Sequence, residues 1–404
     1  MDGELTNWET PVDLQTQQLA GDQAKTEPLP SSHANLSLDL SSSPAPAFRG
    51  RSSTFSSPRL YSSKPVRTRE NSNNILLFYA PEMASLAQEM FGSSDKIILG
   101  KCNFDEFPDK WPKLFIEGHH LIKQNSCCFL ASFHSPEVMF AQLSAIYEIA
   151  KYRARNYKII VPYFPTGTMD RISKPGEIAT AMSLARMLNA TPLCATGPPT
   201  IQILDIHALQ EKFYFSDNVL VELKSAVWLL IEEIGKIKAN RPEETIAIAF
   251  PDDGAAKRFK SKFGEFEHII CEKRRVGNQR IVRVVSGVPK GKHVLIIDDL
   301  IQTGGTILEC VKVIKECGAS RVSAYVTHGV FPNESFLKFF PDQKTGECLL
   351  ETFYMTNTIP TVSKRLENQP PFRILSVAPV LLHTLLDDQL DYYEGMKEVL
   401  EIDS

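Results

Sequence analysis

No stretch of this chain approaches the roughly 18 uncharged apolar residues that a membrane-crossing helix needs, so none is expected to span a bilayer. Charge of one sign is missing too: 44 basic and 48 acidic residues leave a formal net charge of −4. That balance gives no general pull towards nucleic acid or an anionic membrane. The eight cysteines never form a C-x-x-C pair, and no Cys/His spacing fits a zinc site. Cys127, Cys128 and Cys271 lie in apolar runs and read as buried, reduced thiols. A Walker phosphate loop is absent. Gly287-Val-Pro-Lys-Gly-Lys292-His293 has the wrong spacing, and no Ser or Thr follows its lysine. No Gly-x-Ser-x-Gly elbow occurs, and Met1-Asp2-Gly3-Glu4 lacks the basic and apolar parts of a secretory signal. These absences point to a soluble, cytoplasmic protein.

Residues 1–71 are rich in Ser, Pro, Gln and Thr and poor in branched apolar residues, so they are expected to form a disordered tail. Within the tail, 49–69 carries Arg49, Arg51, Arg59, Lys64, Arg67 and Arg69 and no carboxylate. A regulatory or docking role fits, with organelle targeting as the alternative. From Ile75-Leu-Leu-Phe-Tyr79 onward, strand and helix patterns alternate. Strands are expected at 75–79, 95–99, 128–133, 158–162, 201–206, 245–250, 267–271, 280–285, 293–298, 321–328 and 372–377. Helices are expected from Pro81 and near 136–151, 176–189, 222–238, 254–263 and 305–317. This alternation predicts an α/β fold with mostly parallel sheets. About 300 residues of it exceed one doubly wound sheet, so two domains are expected, 72–222 and 223–404.

The most informative stretch is 293–306. Val294 to Ile297 form an apolar run suited to a strand buried on both faces. It ends in the carboxylate pair Asp298-Asp299, and Thr303-Gly304-Gly305-Thr306 then opens a helical pattern. Glycines let backbone N–H groups converge on an anion, and a helix N-terminus adds partial positive charge. The carboxylates can take sugar hydroxyls or a hard cation. A phosphorylated, hydroxylated ligand is therefore expected here, although a plain βα turn has the same outline.

Other signals are weaker taken singly. His207, after the apolar run 201–204, is expected at a strand's C-terminal end, where it could ligate a metal, meet a phosphate or simply cap. Asp252 and Gly254 in Phe250-Pro-Asp-Asp-Gly254 repeat the strand–carboxylate–glycine–helix logic, but an N-cap looks alike. Residues 272–279 bring Lys273, Arg274 and Arg275 to a connection between two strands. They form either a solvated basic hairpin or a flap that closes on polyphosphate. Thr166-Gly-Thr-Met-Asp170-Arg171 is a further polar cluster, placed to meet a nucleotide or to cap a helix.

In sequence order, Phe107-x-Asp109, Asp170-Arg171, Asp205-Ile-His207, Pro251-Asp252-x-Gly254, Lys273-x-Arg275, Asp298–Thr306 and Ser376-Val-Ala-Pro379 resemble the phosphoribosyl pyrophosphate (PRPP) synthases, or ribose-phosphate diphosphokinases. The likeness covers about residues 75 to 390. Phe129-Leu-Ala-Ser-Phe133, Pro165-Thr-Gly-Thr168, His207-Ala-Leu-Gln-Glu211 and Ile281-Val-Arg283 resemble the plant-type class II branch.

The resemblance implies two type I phosphoribosyltransferase-like domains with the active site between them, in a homo-oligomer. It implies transfer of the β,γ-diphosphoryl group of ATP to ribose 5-phosphate with Mg²⁺. By the same resemblance, Asp298, Asp299, Thr303, Gly304, Gly305 and Thr306 hold ribose 5-phosphate. Asp170 and Arg171 bind ATP, and Phe107 and Asp109 supply an adenine pocket across a subunit interface. His207 and Asp252 lie at the metal, while Lys273 and Arg275 stabilise the moving group. Gln302 stands where many family members have Asp, a change the class II branch shares, and Lys110 replaces the usual Gly after Asp109. A non-catalytic regulatory subunit of the same kind is the alternative.

Overall fold

The computed structural model describes residues 74–166, 169–276, 279–342 and 344–386, without the side chains of 273–281. The expected tail, 1–71, lies outside the described residues.

The chain begins with β1 (Ile75–Tyr79), α1 (Ala84–Ser93), β2 (Ile97–Leu99), β3 (Lys101–Glu106), β4 (Pro112–Glu117) and β5 (Ser126–Leu130). There follow α2 (Pro136–Lys151), β6 (Tyr157–Val161), α3 (Thr180–Asn189), β7 (Thr200–Leu204), β8 (Leu220–Lys224) and α4 (Trp228–Asn240). The second half runs β9 (Ile246–Phe250), α5 (Asp253–Phe259), β10 (Glu267–Val276), β11 (Gln279–Ser286), β12 (His293–Ile301) and α6 (Gly305–Glu316). It closes with β13 (Arg321–Gly329), β14 (Phe353–Thr356), α7 (Pro360–Leu366), β15 (Phe372–Leu375) and α8 (Ala378–Leu386).

Two sheets result. The first has the order β2-β1-β5-β6-β7-β8 and is parallel throughout. The second has the order β11-β10-β9-β12-β13-β14-β15 and is parallel except where β10 meets β11. The expected α/β class with mostly parallel sheets is what the chain adopts. Continuous apolar runs build the central strands: Ile246–Phe250 and Val294–Ile297 are wholly buried, as strands covered on both faces must be.

One apolar core takes side chains from both sheets. Leu77, Leu130 and Leu204 of the first meet the same cluster as Ile248, Leu295 and Tyr325 of the second, together with α1, α4 and α8. Separate cores cover the outer face of each sheet. The shared core fixes the C-terminal ends of β7 and β12 relative to each other, and that placement builds the site.

The structure departs from the sequence expectation in four places. Residues 222–238 do not form one helix: Val221 and Leu223 alternate with polar neighbours in β8, and the helix starts only at Trp228. That strand runs across the expected 222/223 boundary. Residues 101–117, for which no strand or helix is expected above, form an antiparallel hairpin, with Cys102, Phe104 and Ile116 turned onto the first half's outer core. β10 and β11 extend through most of 272–279, leaving only 277–278 between them, outside the described residues. Finally, β14, α7 and α8 went unread. β14 has four residues, too few to show a period, and Ala378–Leu386 is apolar almost throughout, so it has no face to detect.

Burying a leucine completely stabilises a fold by about 1.5–3 kcal/mol. Leu295 is fully buried in the shared core, so Leu295→Ala should cost about 2–5 kcal/mol in denaturant unfolding. Because both sheets use that core, the transition should stay single. Separate unfolding of the two halves would show that they do not share it.

Candidate active site

At the C-terminal end of β12 the backbone passes from apolar side chains directly to Asp298 and Asp299. Asp299 is almost fully buried, and a buried carboxylate must be paired or protonated. It is paired twice: its Oδ2 accepts from His207 Nδ1 at 2.7 Å and from Arg258 at 2.7 Å. His207 follows β7, and Arg258 lies on α5, so one oxygen joins three elements and both sheets. Burial works against charge at Asp299, but the His207 bond and the Arg258 guanidinium outweigh it and hold the carboxyl down at about 2. The bond to Asp299 reciprocally raises the His207 imidazole above its ordinary value, against a lowering from burial.

Asp298 behaves oppositely. Burial, then the charges of Asp299 and Asp252, push its carboxyl well above the usual range. Two adjacent carboxylates thus have different characters, one anionic and salt-bridged, the other seeking a proton or a cation.

The following loop is braced from below. Gly304 has φ +79, and a Cβ there would stand 2.6 Å from the Phe339 ring. The loop carbonyls are also tied: Gln302 O accepts from Ser335 Oγ at 2.9 Å and Thr303 O from Lys338 Nζ at 3.0 Å. Gly305 and Thr306 begin α6, so their N–H groups are among those a helix start leaves without intrahelical partners.

A cleft of about 760 Å³ gathers these groups. Its lining includes Asp170, Arg171, His207, Asp252, Arg258, Asp298, Asp299 and Thr303 to Thr306. Ten of the fourteen site residues named from the sequence therefore face one cavity. Asp252 also does the blander work: it caps α5, accepting from Ala255 N at 2.9 Å through Oδ1. Asp170 is held through its carbonyl by the Tyr214 hydroxyl. Gly167 and Thr168, beside it, fall outside the described residues.

Phe107 and Asp109 are elsewhere, on the turn of the β3–β4 hairpin. Asp109 lines a second pocket of about 680 Å³ with Trp111 and Phe140, and Phe107 is 47% exposed. Lys273 and Arg275 sit on β10 by their backbone, paired with Val282 and Arg280. Their side chains lie outside the described residues.

Sequence reasoning missed two residues. Arg258 lies six positions after Asp252 on α5, and only its basic character within Lys257-Arg258 hinted at a role. Glu211 is wholly buried, with neither carboxyl oxygen bonded. Burial first, then the charge of Asp170, pushes its carboxyl up to about 8.

No three described His, Cys, Asp or Glu side chains converge as a metal-holding group. Mg²⁺ does not require one, because it keeps waters and substrate phosphates and uses one or two carboxylates. The donors present fit it. Asp252 caps through one oxygen and keeps the other, and His207, held through Nδ1 by a carboxylate, keeps Nε2 as its lone-pair donor.

The bridge has a pH signature. The raised His207 contributes stability fully below about 6.5, its ordinary value, and loses it as pH rises through the folded value. Asp299 contributes above about 3.8 and loses its contribution as pH falls through its depressed value. The His207 ring should therefore titrate above 6.5 by NMR, and Asp299→Asn should bring it back. An unshifted midpoint in the unmutated protein would show that the bond is not formed in solution.

Residues 245–335 match the phosphoribosyl transferase domain. The chain is 44% identical over 320 residues to "Ribose-phosphate pyrophosphokinase 3, mitochondrial" of Spinacia oleracea, spanning 78% of each. It is 45% identical over 306 residues to "Ribose-phosphate pyrophosphokinase 3, chloroplastic" of Oryza sativa subsp. japonica, spanning 76% of this chain and 74% of that one. Among solved structures, the phosphoribosylpyrophosphate synthetase of Mycobacterium smegmatis superposes with a TM-score of 0.64 at 25% identity, covering 78% of this chain and 98% of that one. Identity at that level over nearly all of the described chain leaves one assignment: this protein belongs to the ribose-phosphate pyrophosphokinase family, with the plant-type class II members.

Proposed function

We propose that the protein is a ribose-phosphate diphosphokinase. The C1 hydroxyl oxygen of ribose 5-phosphate attacks the β-phosphorus of ATP, the bond from that phosphorus to the α-phosphate oxygen breaks, and PRPP and AMP result. The observation that carries this reading is the single cleft in which an acidic strand end, a braced Thr/Gly loop, His207 and Asp170-Arg171 meet. The intact loop and carboxylates favour catalysis over a purely regulatory subunit.

Thr303 to Thr306 hold the 5-phosphate with backbone N–H groups and hydroxyls, while Asp298 and Asp299 take the ribose hydroxyls. Asp298, whose carboxyl is raised by burial and by the charge of Asp299, hydrogen-bonds a ribose hydroxyl. Arg258 and His207 hold Asp299 anionic and oriented. Asp170 and Arg171 face the ATP side. Lys273 and Arg275, on the paired strands beyond the sheet edge, neutralise charge on the diphosphoryl group as it moves. His207 and Asp252 hold Mg²⁺, which screens the polyphosphate when bound. Because the ligating imidazole must be neutral, this binding weakens as pH falls.

Phe107 and Asp109 lie outside this cleft, so their proposed adenine pocket serves a neighbouring copy in a homo-oligomer. The two-domain division is proposed with its seam after β8, at residue 224. No helix among the described residues is long and apolar enough to cross a membrane. The spinach and rice relatives are named mitochondrial and chloroplastic, which supports an organelle address in 49–69 over a cytoplasmic location.

Phosphorus NMR with ATP, Mg²⁺ and ribose 5-phosphate tests the reaction directly. PRPP and AMP should appear, and Asp298→Asn should suppress them. Neither PRPP nor AMP from folded protein favours the regulatory subunit. Lys273→Ala should lower kcat by about 10²–10³-fold with little change in melting temperature, since the interaction forms mainly in the transition state. An unchanged kcat removes Lys273 from the reaction.

A further inference from the structure

Behind the cleft, a second polar bridge joins the two sheets. Asp205 is completely buried, and its backbone is held at φ +37, a conformation a non-glycine residue adopts only when its surroundings enforce it. Its Oδ1 accepts from Ser225 Oγ at 2.6 Å, and its Oδ2 from Ala226 N at 2.9 Å. Those partners belong to the segment after β8. The third donor does not: Thr327 Oγ1, on β13 of the other sheet, reaches Oδ2 at 2.6 Å. One position further on, His328 is buried and donates through Nε2 to Leu204 O at 3.0 Å, while its Nδ1 faces the Thr358 hydroxyl at 3.0 Å.

These contacts are in register with the site. In the β12–β13 ladder Asp298 pairs with Val326 and Leu300 with His328, which places Thr327 beside Asp299. The end of β7 thus crosses the ends of β12 and β13 by three rungs: Leu204 to His328, Asp205 to Thr327, and His207 to Asp299. The first two are buried, and the last opens into the cleft. His207 lies only two residues beyond Asp205, after a turn with a single strained residue.

We infer that Asp205 and Thr327 are positioning residues whose inter-sheet bond holds His207 against Asp299 and so sets the two walls of the cleft in register. They touch no substrate. Their effect passes through the backbone from Asp205 to His207 on one side, and through the strand ladder from Thr327 to Asp299 on the other. Removing the hydroxyl of Thr327 leaves a buried carboxylate with one donor fewer, and that lost donor is the one from the opposite wall. Ser225 offers an internal control: it bonds the same carboxylate at the same distance from within its own half.

The kinetic part of the test rests on the proposed diphosphokinase reaction; the spectroscopic part does not. In protein labelled with ¹⁵N-histidine, the Nδ1–H of His207, assigned by its loss in His207→Gln, should give a protected downfield proton signal. Thr327→Val should abolish or broaden that signal and lower kcat at least tenfold. The KM for ribose 5-phosphate should stay within about twofold, because the 302–306 loop is braced separately by Ser335, Lys338 and Phe339. Thr327→Ser should restore both. Ser225→Ala should lower the melting temperature yet keep the signal and kcat. If Thr327→Val does not fold, Thr327→Cys, of similar volume and a weaker donor, replaces it with the same outcomes expected in reduced degree. Retention of the His207 signal in the threonine variant, or its equal loss in Ser225→Ala, overturns the inference. Unmutated protein that shows the signal but makes no PRPP overturns the functional reading alone.

Discussion

A carboxylate cannot be buried and charged without partners, and at Asp299 the partners come from opposite sides of the molecule. His207 arrives from the end of the first sheet and Arg258 from the helix after β9. Both bond the same oxygen at 2.7 Å. Cleaving either bond would leave the buried carboxylate with one donor fewer, so the three elements cannot drift apart without loss. That requirement fixes the cleft's shape before any ligand enters. The loop at Thr303 to Thr306, the cap at Asp252 and the open face of Asp298 are arranged around a carboxylate whose position is already set.

The apolar framework makes this arrangement possible. Parallel strands put their C-terminal ends on one side, which is where α/β proteins collect polar groups. Here two such sheets share one core, and the ends of β7 and β12 meet. Neither sheet alone would hold both His207 and Asp299. The electrostatics then divide the labour between neighbouring carboxyls: Asp299 is held anionic by its bonds to His207 and Arg258, whereas burial and the charges of Asp299 and Asp252 raise the Asp298 carboxyl above its usual range.

Much of this was readable in the chain, and the reasons differ by residue. Asp298, Asp299 and the Thr/Gly loop were legible because their chemistry is local: a buried strand, its polar end and a helix start occupy 14 consecutive residues, 293–306. His207 and Asp252 were legible as strand-end residues, but no single stretch could show that they face one cavity. Arg258 was not legible, since what gives it a role is a partner 41 residues away. Glu211 entered only as the last residue of His207-Ala-Leu-Gln-Glu211, with no role attached; its burial is a tertiary fact. The long helix expected at 222–238 failed because the apolar residues of Leu220–Lys224 serve a strand edge before the helix begins. The hairpin of β3 and β4 was passed over because its inward positions are few and its turn carries the exposed Phe107 and Trp111.

β10 pairs with β9 only through Ile270, and a register shift at Ile270/Cys271 marks where it leaves the parent sheet. Beyond that point the two strands hydrogen-bond only to each other, among the described pairings. The ribbon is therefore an outwork of the fold. Past the buried Cys271 and Val282, its length can change without disturbing a single rung of the parallel ladder. Within one architecture, such an appendage is where relatives would be expected to diverge in rate and regulation while their cores stay superposable.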